Sequence, residues 1–207
     1  MTSYTRRLIE DSPSMNLALV TFVQAISLEK LTDRAIALSA HSGDEVLLCY
    51  LAGSAILVGI VIMWLTYSQM FCLLDWIPHP TQPFVGFGIG LLQFASISLL
   101  RPETLSVALA FAALLFIFGG SALAHGFGYF QGSSENKRII SGFSRWRPAA
   151  LLLGAGVLQA LAALLVSTML ALPLMLLVVG TNLVLISSWS VAWWRLVRDE
   201  QAVASAV

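Results

Sequence analysis

Long apolar segments separated by short charged gaps occupy most of this 207-residue chain. Four segments contain no Asp, Glu, Lys or Arg: residues 46–74, 84–100, 105–130 and 149–194. A helix needs about 20 apolar residues to cross the roughly 30 Å hydrocarbon core of a bilayer. Each segment is at or near that length, and the last is long enough for two crossings. The pattern therefore predicts an all-α, polytopic membrane protein.

We predict six transmembrane helices, arranged as three hairpins, in a single domain that comprises residues 1–207. Their predicted bounds are 15–38, 46–74, 84–100, 105–130, 149–166 and 172–194. The last two have only Ser167, Thr168 and Pro173 as turn signals between them, and Pro173 suits a first helical turn. One uninterrupted helix there would be about 69 Å long. Because that is twice the membrane thickness, a tight hairpin is the better prediction.

The distribution of basic residues predicts the orientation of the helices, because cytoplasmic loops collect Lys and Arg. Three regions are basic, and they contain Arg6, Arg7, Lys137, Arg138, Arg145, Arg147, Arg195 and Arg198. All three regions can face the cytoplasm only if the first apolar segment also crosses the membrane. We therefore expect both termini to be cytoplasmic.

Composition supports a membrane protein and excludes several other classes. Hydrophobic residues make up 58% of the chain and charged residues only 11%, whereas a soluble domain carries about 25% charge. The formal net charge is zero, so nothing indicates a nucleic-acid partner. Cys49 and Cys72 fall about 35 Å apart on one predicted helix, which is too far for a disulfide between them.

Small residues and amides recur at similar places in the predicted helices. Residues 88–93 (GIGLLQ) match residues 154–159 (GAGVLQ), and Gln24 repeats the end of that phrase in the first helix. In lipid, small residues allow helices to approach closely. The predicted helix-packing residues, within the bundle or between subunits, are Gly53, Gly59, Gly86, Gly90, Gly156 and Gly180. Gln93, Gln159 and Asn182 are expected to form interhelical hydrogen bonds or to line a polar path.

The candidate proton- or ion-handling residues are a charged block in the first helix, Glu29, Lys30, Asp33 and Arg34, together with His125 in the fourth. A charged side chain at mid-bilayer costs about 2.5–3.5 kcal/mol on insertion scales. The four charges must therefore be paired, solvated or close to the interface. The spacing allows Lys30 to pair with Asp33. Three interpretations stay open: the end of a short crossing, pairing within an oligomer, or proton handling.

Four short stretches of the chain form a recognisable set: residues 42–44 (SGD), 101–103 (RPE), 156–158 (GVL) and 178–189 (VVGTNLVLISSW). With these stretches the chain resembles the HdeD-like acid-resistance membrane proteins, which have six helices built from three hairpin repeats. The charged block of the first helix departs from the family, which is usually apolar there. The resemblance implies a multi-pass protein of the bacterial inner (plasma) membrane with a role in surviving acid. It implies no catalytic residues.

Two functional hypotheses follow. The first is a non-enzymatic protein that supports resistance to acid or envelope stress, or that packs as an accessory subunit of a membrane complex. Its partners would be the lipid bilayer and either further copies of itself or other integral membrane proteins. The alternative is a channel or proton-coupled transporter that uses the charges of the first helix. Neither hypothesis calls for a cofactor, because the sequence has no metal-ligand cluster and no phosphate-binding loop.

Overall fold

The computed structural model describes residues 3–73, 82–129 and 146–204, and all regular structure in these ranges is helical. An all-helical fold is thereby confirmed for the described residues. The helices are α1 Ser3–Leu38, α2 Asp44–Leu73, α3 Gln82–Ser98, α4 Leu105–Tyr129, α5 Trp146–Leu164 and α6 Ala171–Ala204. A single 3₁₀ turn, Pro102–Thr104, precedes α4.

Two helices are much longer than the apolar pattern predicts. α1 begins at Ser3 rather than near residue 15, and α6 continues to Ala204 rather than ending near residue 194. The additional residues are mostly polar or charged, so they add nothing to an apolar segment. The hydrogen bonds of a helix join backbone groups and do not require apolar side chains. Both helices can therefore extend beyond their apolar segments. The remaining helix ends lie within three residues of the predicted positions.

The helices pack around one another in a closed order. Consecutive helices are in contact in the pairs α1–α2, α3–α4 and α5–α6. The pairs are joined to one another by α1 against α3, by α4 against α5 and by α2 against α6. The first of these junctions joins two odd-numbered helices, the second joins an even-numbered helix to an odd-numbered one, and the third joins two even-numbered helices. The recurring sequence phrases are not matched by a repeating arrangement of neighbours.

The buried apolar residues form two large clusters at different levels of the bundle. One joins the ends of α1 and α5, the starts of α2, α4 and α6 and the connection after α3, and includes Leu38, Val46, Leu100, Leu105 and Ala171. The three short connections, at residues 39–43, 99–101 and 165–170, consequently lie at one end, which we call the turn end. The second cluster lies farther along the helices and contains Ile62, Ile89, Phe116, Leu152 and Leu185.

Three segments among the described residues are long and apolar enough to cross a membrane: Asp44–Thr66, Pro102–Ala124 and Ala171–Ser188. Two shorter apolar helical segments, Val85–Ser98 and Ala149–Leu164, accompany them. The α2 segment is 56% buried within the bundle and the α6 segment only 28%. α2 is therefore an inner helix, whereas much of α6 faces outward.

Candidate functional site

One face of α1 attaches it to its neighbours. Val20, Gln24, Ser27 and Leu38 are buried along this face, at the four- and three-residue steps that place side chains on one side of a helix. Tyr50 of α2 adds a hydrogen bond of 3.2 Å from its hydroxyl to the carbonyl oxygen of Ala35. α1 is thus held to α2 and α3 over its second half.

The two basic residues of the charged block are directed toward α3. Arg34 Nη2 donates a hydrogen bond of 2.9 Å to the carbonyl oxygen of Ser98, the last residue of α3. The final carbonyls of a helix have no partner inside it and carry partial negative charge, so a guanidinium is favourable there. Lys30 Nζ lies 6.0 Å from the centre of the Phe94 ring, at the outer limit of a cation–π contact.

The two acidic residues of the block lie on the other side of α1. Glu29 and Asp33 are both exposed, and no ion pair joins either of them to another described residue. The Lys30–Asp33 pair that the sequence spacing allows is therefore absent from the described contacts. Phe22, which is 64% exposed, and Ile36, which is 66% exposed, lie on the same side.

We call the surface formed by Phe22, Ile26, Glu29, Asp33 and Ile36 the outward face of α1. These residues again follow four- and three-residue steps, so they form one continuous stripe. α1 therefore carries two stripes, one buried against the bundle and one exposed. The exposed stripe is apolar except for its two carboxylates.

A second set of polar side chains lies inside the bundle. Gln24, Gln93, Gln159 and Asn182, on α1, α3, α5 and α6, are each buried to 97% or more. We call these four side chains the buried amides. The three glutamines are those that recur in the sequence phrases, and Asn182 belongs to the longest stretch of the family resemblance. Each buried amide lies in the buried stripe of its helix rather than on its outward side.

The buried amides have few partners among the described residues. Ser27 Oγ lies 3.5 Å from Gln93 Oε1, at the limit of a hydrogen bond. Within the described ranges, Gln93 Nε2 has no partner, and both side-chain polar atoms of Gln24, Gln159 and Asn182 have none either. The interhelical hydrogen bonds expected from the sequence are therefore absent for three of the four amides in the described part of the chain.

The predicted packing glycines lie in different surroundings. A Cβ atom added to Gly156 would lie 2.7 Å from Ile117 Cγ1 and 3.1 Å from the carbonyl oxygen of Ala113. At Gly90 the added atom would collide with the side chain of Val23. These two glycines thus permit the close approach of α5 to α4 and of α3 to α1.

The other four glycines range from close contact to open space. An added Cβ would lie 3.2 Å from Leu100 Cδ2 at Gly53 and 3.2 Å from Phe116 Cζ at Gly59. Gly86 is buried in α3. Gly180 is exposed on α6, and no described residue lies within 4 Å of a Cβ added there. A packing role for Gly180 stays a prediction.

Within the described ranges, the other sequence candidates do not form a metal centre. His125 lies on α4, but its side chain is outside the described part of the structure. Among the described residues no three of His, Cys, Asp and Glu are grouped so that they could hold a metal ion. Cys49 is buried with a free thiol, and the side chain of Cys72 is not among those described.

Sequence reasoning missed two contacts that depend on backbone carbonyls. Ser96 Oγ donates a hydrogen bond of 2.8 Å to the carbonyl oxygen of Ala108, which joins α3 to α4. Arg34 binds the end of α3 in a comparable way. The identity of a side chain indicates that it can donate, but the sequence gives no sign of which carbonyl will lie beside it.

No family model matches this chain, and neither a curated protein nor a solved structure is similar to it. The HdeD-like resemblance accordingly stays a prediction.

Proposed function

We propose that the chain is a non-enzymatic, multi-pass protein of the inner membrane that acts by assembling with another membrane protein through the outward face of α1. In this proposal six helices cross the membrane as three hairpins, with both termini cytoplasmic. The apolar segments of α2 to α6 and the three connections at one end support this topology. The observation that carries the functional proposal is the exposure of Glu29 and Asp33 on an otherwise apolar stripe.

The contact between Arg34 and Ser98 relates the depth of the carboxylates to the end of α3. Arg34 is level with that end, so Asp33 lies close to the proposed membrane interface. Glu29 is five residues before Arg34, about 8 Å deeper. A carboxylate costs less near the interface than at the bilayer centre, where insertion scales give about 2.5–3.5 kcal/mol. Exposure to lipid should therefore cost more free energy at Glu29 than at Asp33.

The chemistry of the outward face indicates what kind of partner would cover it. Phe22, Ile26 and Ile36 fit an apolar helix surface, and the carboxylates between them fit Lys, Arg or a hydrogen-bond donor. A second copy that met this face across a twofold axis would place Glu29 opposite Glu29 and Asp33 opposite Asp33. Like charges in that arrangement repel. We therefore favour a different protein whose membrane helix carries a basic residue at this depth.

Photo-crosslinking in native membranes would test the proposal. A photoreactive residue would be placed at Phe22, Ile26 or Ile36, with Val184 as the control. Val184 is 58% exposed on α6, a helix whose main contacts are with α2 and α5 rather than with α1. We expect one protein to be captured in a fixed ratio from the α1 positions, with a basic residue of its membrane helix at the crosslink. Equal capture at Val184, or labelling of lipid alone at every position, would contradict the proposal.

A charge exchange would then test the partner's chemistry. Glu29→Lys should reduce the crosslink several-fold, and replacement of the partner's basic residue by Glu should restore it. Glu29→Gln keeps the size of the side chain and should have a smaller effect. A crosslink between two copies of this chain would instead indicate a homo-oligomer and would refute the proposal of a different partner.

The transporter alternative has a separate test. Proton and potassium flux would be measured in proteoliposomes at external pH 7 and pH 4, for the unmodified chain and for the Glu29→Gln, Asp33→Asn variant. The exposure of both carboxylates on the outside of the bundle supports the assembly proposal rather than this alternative. Flux that rises in acid and disappears in the variant would overturn our choice. Survival of a deletion strain in acid would test the stress role implied by the resemblance.

A further inference from the structure

The buried amides have more hydrogen-bond donors and acceptors than the described residues satisfy. We propose that the buried amides bind ordered water molecules inside the bundle. This inference does not rest on the assembly proposed for α1, because it concerns the interior and not the outward face. It is carried by four side chains from four helices, each buried to 97% or more.

Seven polar atoms of the buried amides have no hydrogen-bond partner among the described residues. Three of the four amides have neither a donor nor an acceptor partner among the described residues, and Gln93 has only the long contact with Ser27. Leaving a buried polar group unsatisfied costs about 1–3 kcal/mol. Seven such atoms together would cost as much as the whole stability of a typical domain. A bound molecule that satisfies them removes most of this cost.

The chemistry of the amides identifies the class of molecule. An amide side chain presents both donors and acceptors and carries no charge, so a ligand that bridges amides must be able to donate and accept as well. The nearby cations, Lys30 and Arg34, are directed toward Phe94 and the end of α3. Buried water typically makes about three hydrogen bonds to groups that have no other partner. Water is the smallest molecule that meets these requirements.

The apolar residues on either side of the amides indicate that the water is held in place. On α5, Gln159 lies between Ala155 and Ala162, which are both fully buried. On α6, Asn182 lies between Val178 and Leu185, which are 0% and 1% exposed. In each pair, one residue (Ala162 or Val178) belongs to the apolar cluster at the turn end, and the other (Ala155 or Leu185) belongs to the cluster farther along the helices. Gln159 and Asn182 therefore each lie between buried apolar residues of their own helix, which favours bound water over a continuous pathway.

Water-edited solid-state NMR on the unmodified protein in lipid bilayers would test this inference. The experiment transfers polarisation from water protons to nearby nitrogen atoms. We expect the side-chain nitrogens of Asn182 and Gln159 to gain signal several-fold faster than the backbone nitrogens of Ala155 and Ala162. Those two alanines are the matched controls, since they are equally buried on the helix that carries Gln159.

The opposite result has a definite structural meaning. If the amide nitrogens gain signal no faster than the alanine controls, the amides bond directly to protein groups and the inference is wrong. An Asn182→Leu variant would assign the Asn182 signal by its loss. Should that variant not fold, correlation of the side-chain nitrogen with the Asn182 backbone would assign it in the unmodified chain.

Discussion

The contact between α4 and α5 and the contact between α1 and α3 are built in different ways. Between α4 and α5, Gly156 brings the two backbones together, with the carbonyl oxygen of Ala113 and the amide nitrogen of Ile117 both 3.1 Å from where a Cβ would be. Between α1 and α3, the three atoms nearest to a Cβ at Gly90 all belong to the side chain of Val23. Ser27 and Arg34 add polar contacts between the same two helices.

The difference indicates which part of the molecule is fixed and which part is adaptable. Backbone atoms in close contact cannot move without moving whole helices. The side chain of Val23, although valine strongly prefers one χ1 rotamer in a helix, can move aside with a small shift of α1 alone. Hydrogen bonds to a helix end and a long contact between a hydroxyl and an amide can also be exchanged. We therefore regard α4 and α5 as the rigid part of the bundle. α1, which carries the outward face, is the helix best suited to adjust to a partner.

The largest effect that this comparison predicts is at Gly156. Gly156→Ala should lower the free energy of unfolding by about 1–3 kcal/mol, the usual cost of overpacking, because the nearest backbone atoms of α4 cannot give way. Unfolding in mixed micelles, followed by helical circular dichroism, would measure it.

Gly154, two residues earlier on the same helix, provides the control. Nothing lies within 4 Å of a Cβ added at Gly154. Gly154→Ala should leave the free energy of unfolding unchanged or raise it by up to about 1 kcal/mol, through helix propensity. Equal destabilisation at both glycines would show that α4 and α5 are not fixed by backbone contact at Gly156.

A smaller effect is expected at Gly90, where the obstacle is a side chain. Gly90→Ala should destabilise the protein by about 1–2 kcal/mol, since Val23, whose χ1 is restricted in a helix, can move aside only with a small shift of α1. Val23→Ala in the same chain should recover part of that loss. A double-mutant cycle of unfolding free energies should give a coupling of about 0.5 kcal/mol or more. Strictly additive effects would mean that Gly90 and Val23 do not limit the approach of α1 to α3.

At Arg34 the expected effect is comparable or slightly smaller, and it is local. Arg34→Met removes the hydrogen bond to Ser98 and the favourable charge at the end of α3, a loss of about 1 kcal/mol. Hydrogen exchange should accelerate at the amides near residue 98. Lys30→Met should change it less, because the contact with Phe94 contributes about 0.5 kcal/mol. The same acceleration in both variants would count against a specific role for Arg34.

The helical class of the described residues follows from the sequence, because long uncharged segments indicate helices whatever their neighbours. The roles of individual residues do not follow in the same way. Gly154 and Gly156 belong to one sequence phrase, yet only Gly156 contacts α4. Which of the two is buried depends on how α5 is rotated against its neighbour. Arg34 is similar, since its partner is a backbone carbonyl that any residue at position 98 would supply.

Two buried serines differ in a similar way, one between α3 and α4 and the other between α1 and α3. Ser27 and Ser96 are 1% and 0% exposed, but Ser96 donates at 2.8 Å to the carbonyl oxygen of Ala108, whereas Ser27 lies 3.5 Å from Gln93. Ser96→Ala should therefore lower the free energy of unfolding by about 1 kcal/mol. Ser27→Ala should cost about 0.5 kcal/mol or less, because its hydroxyl also bonds within α1 to the carbonyl oxygen of Val23, at 3.1 Å. If Ser27→Ala proves the more costly of the two, the polar contact between α1 and α3 is stronger than its length indicates, and α1 belongs to the rigid part of the bundle.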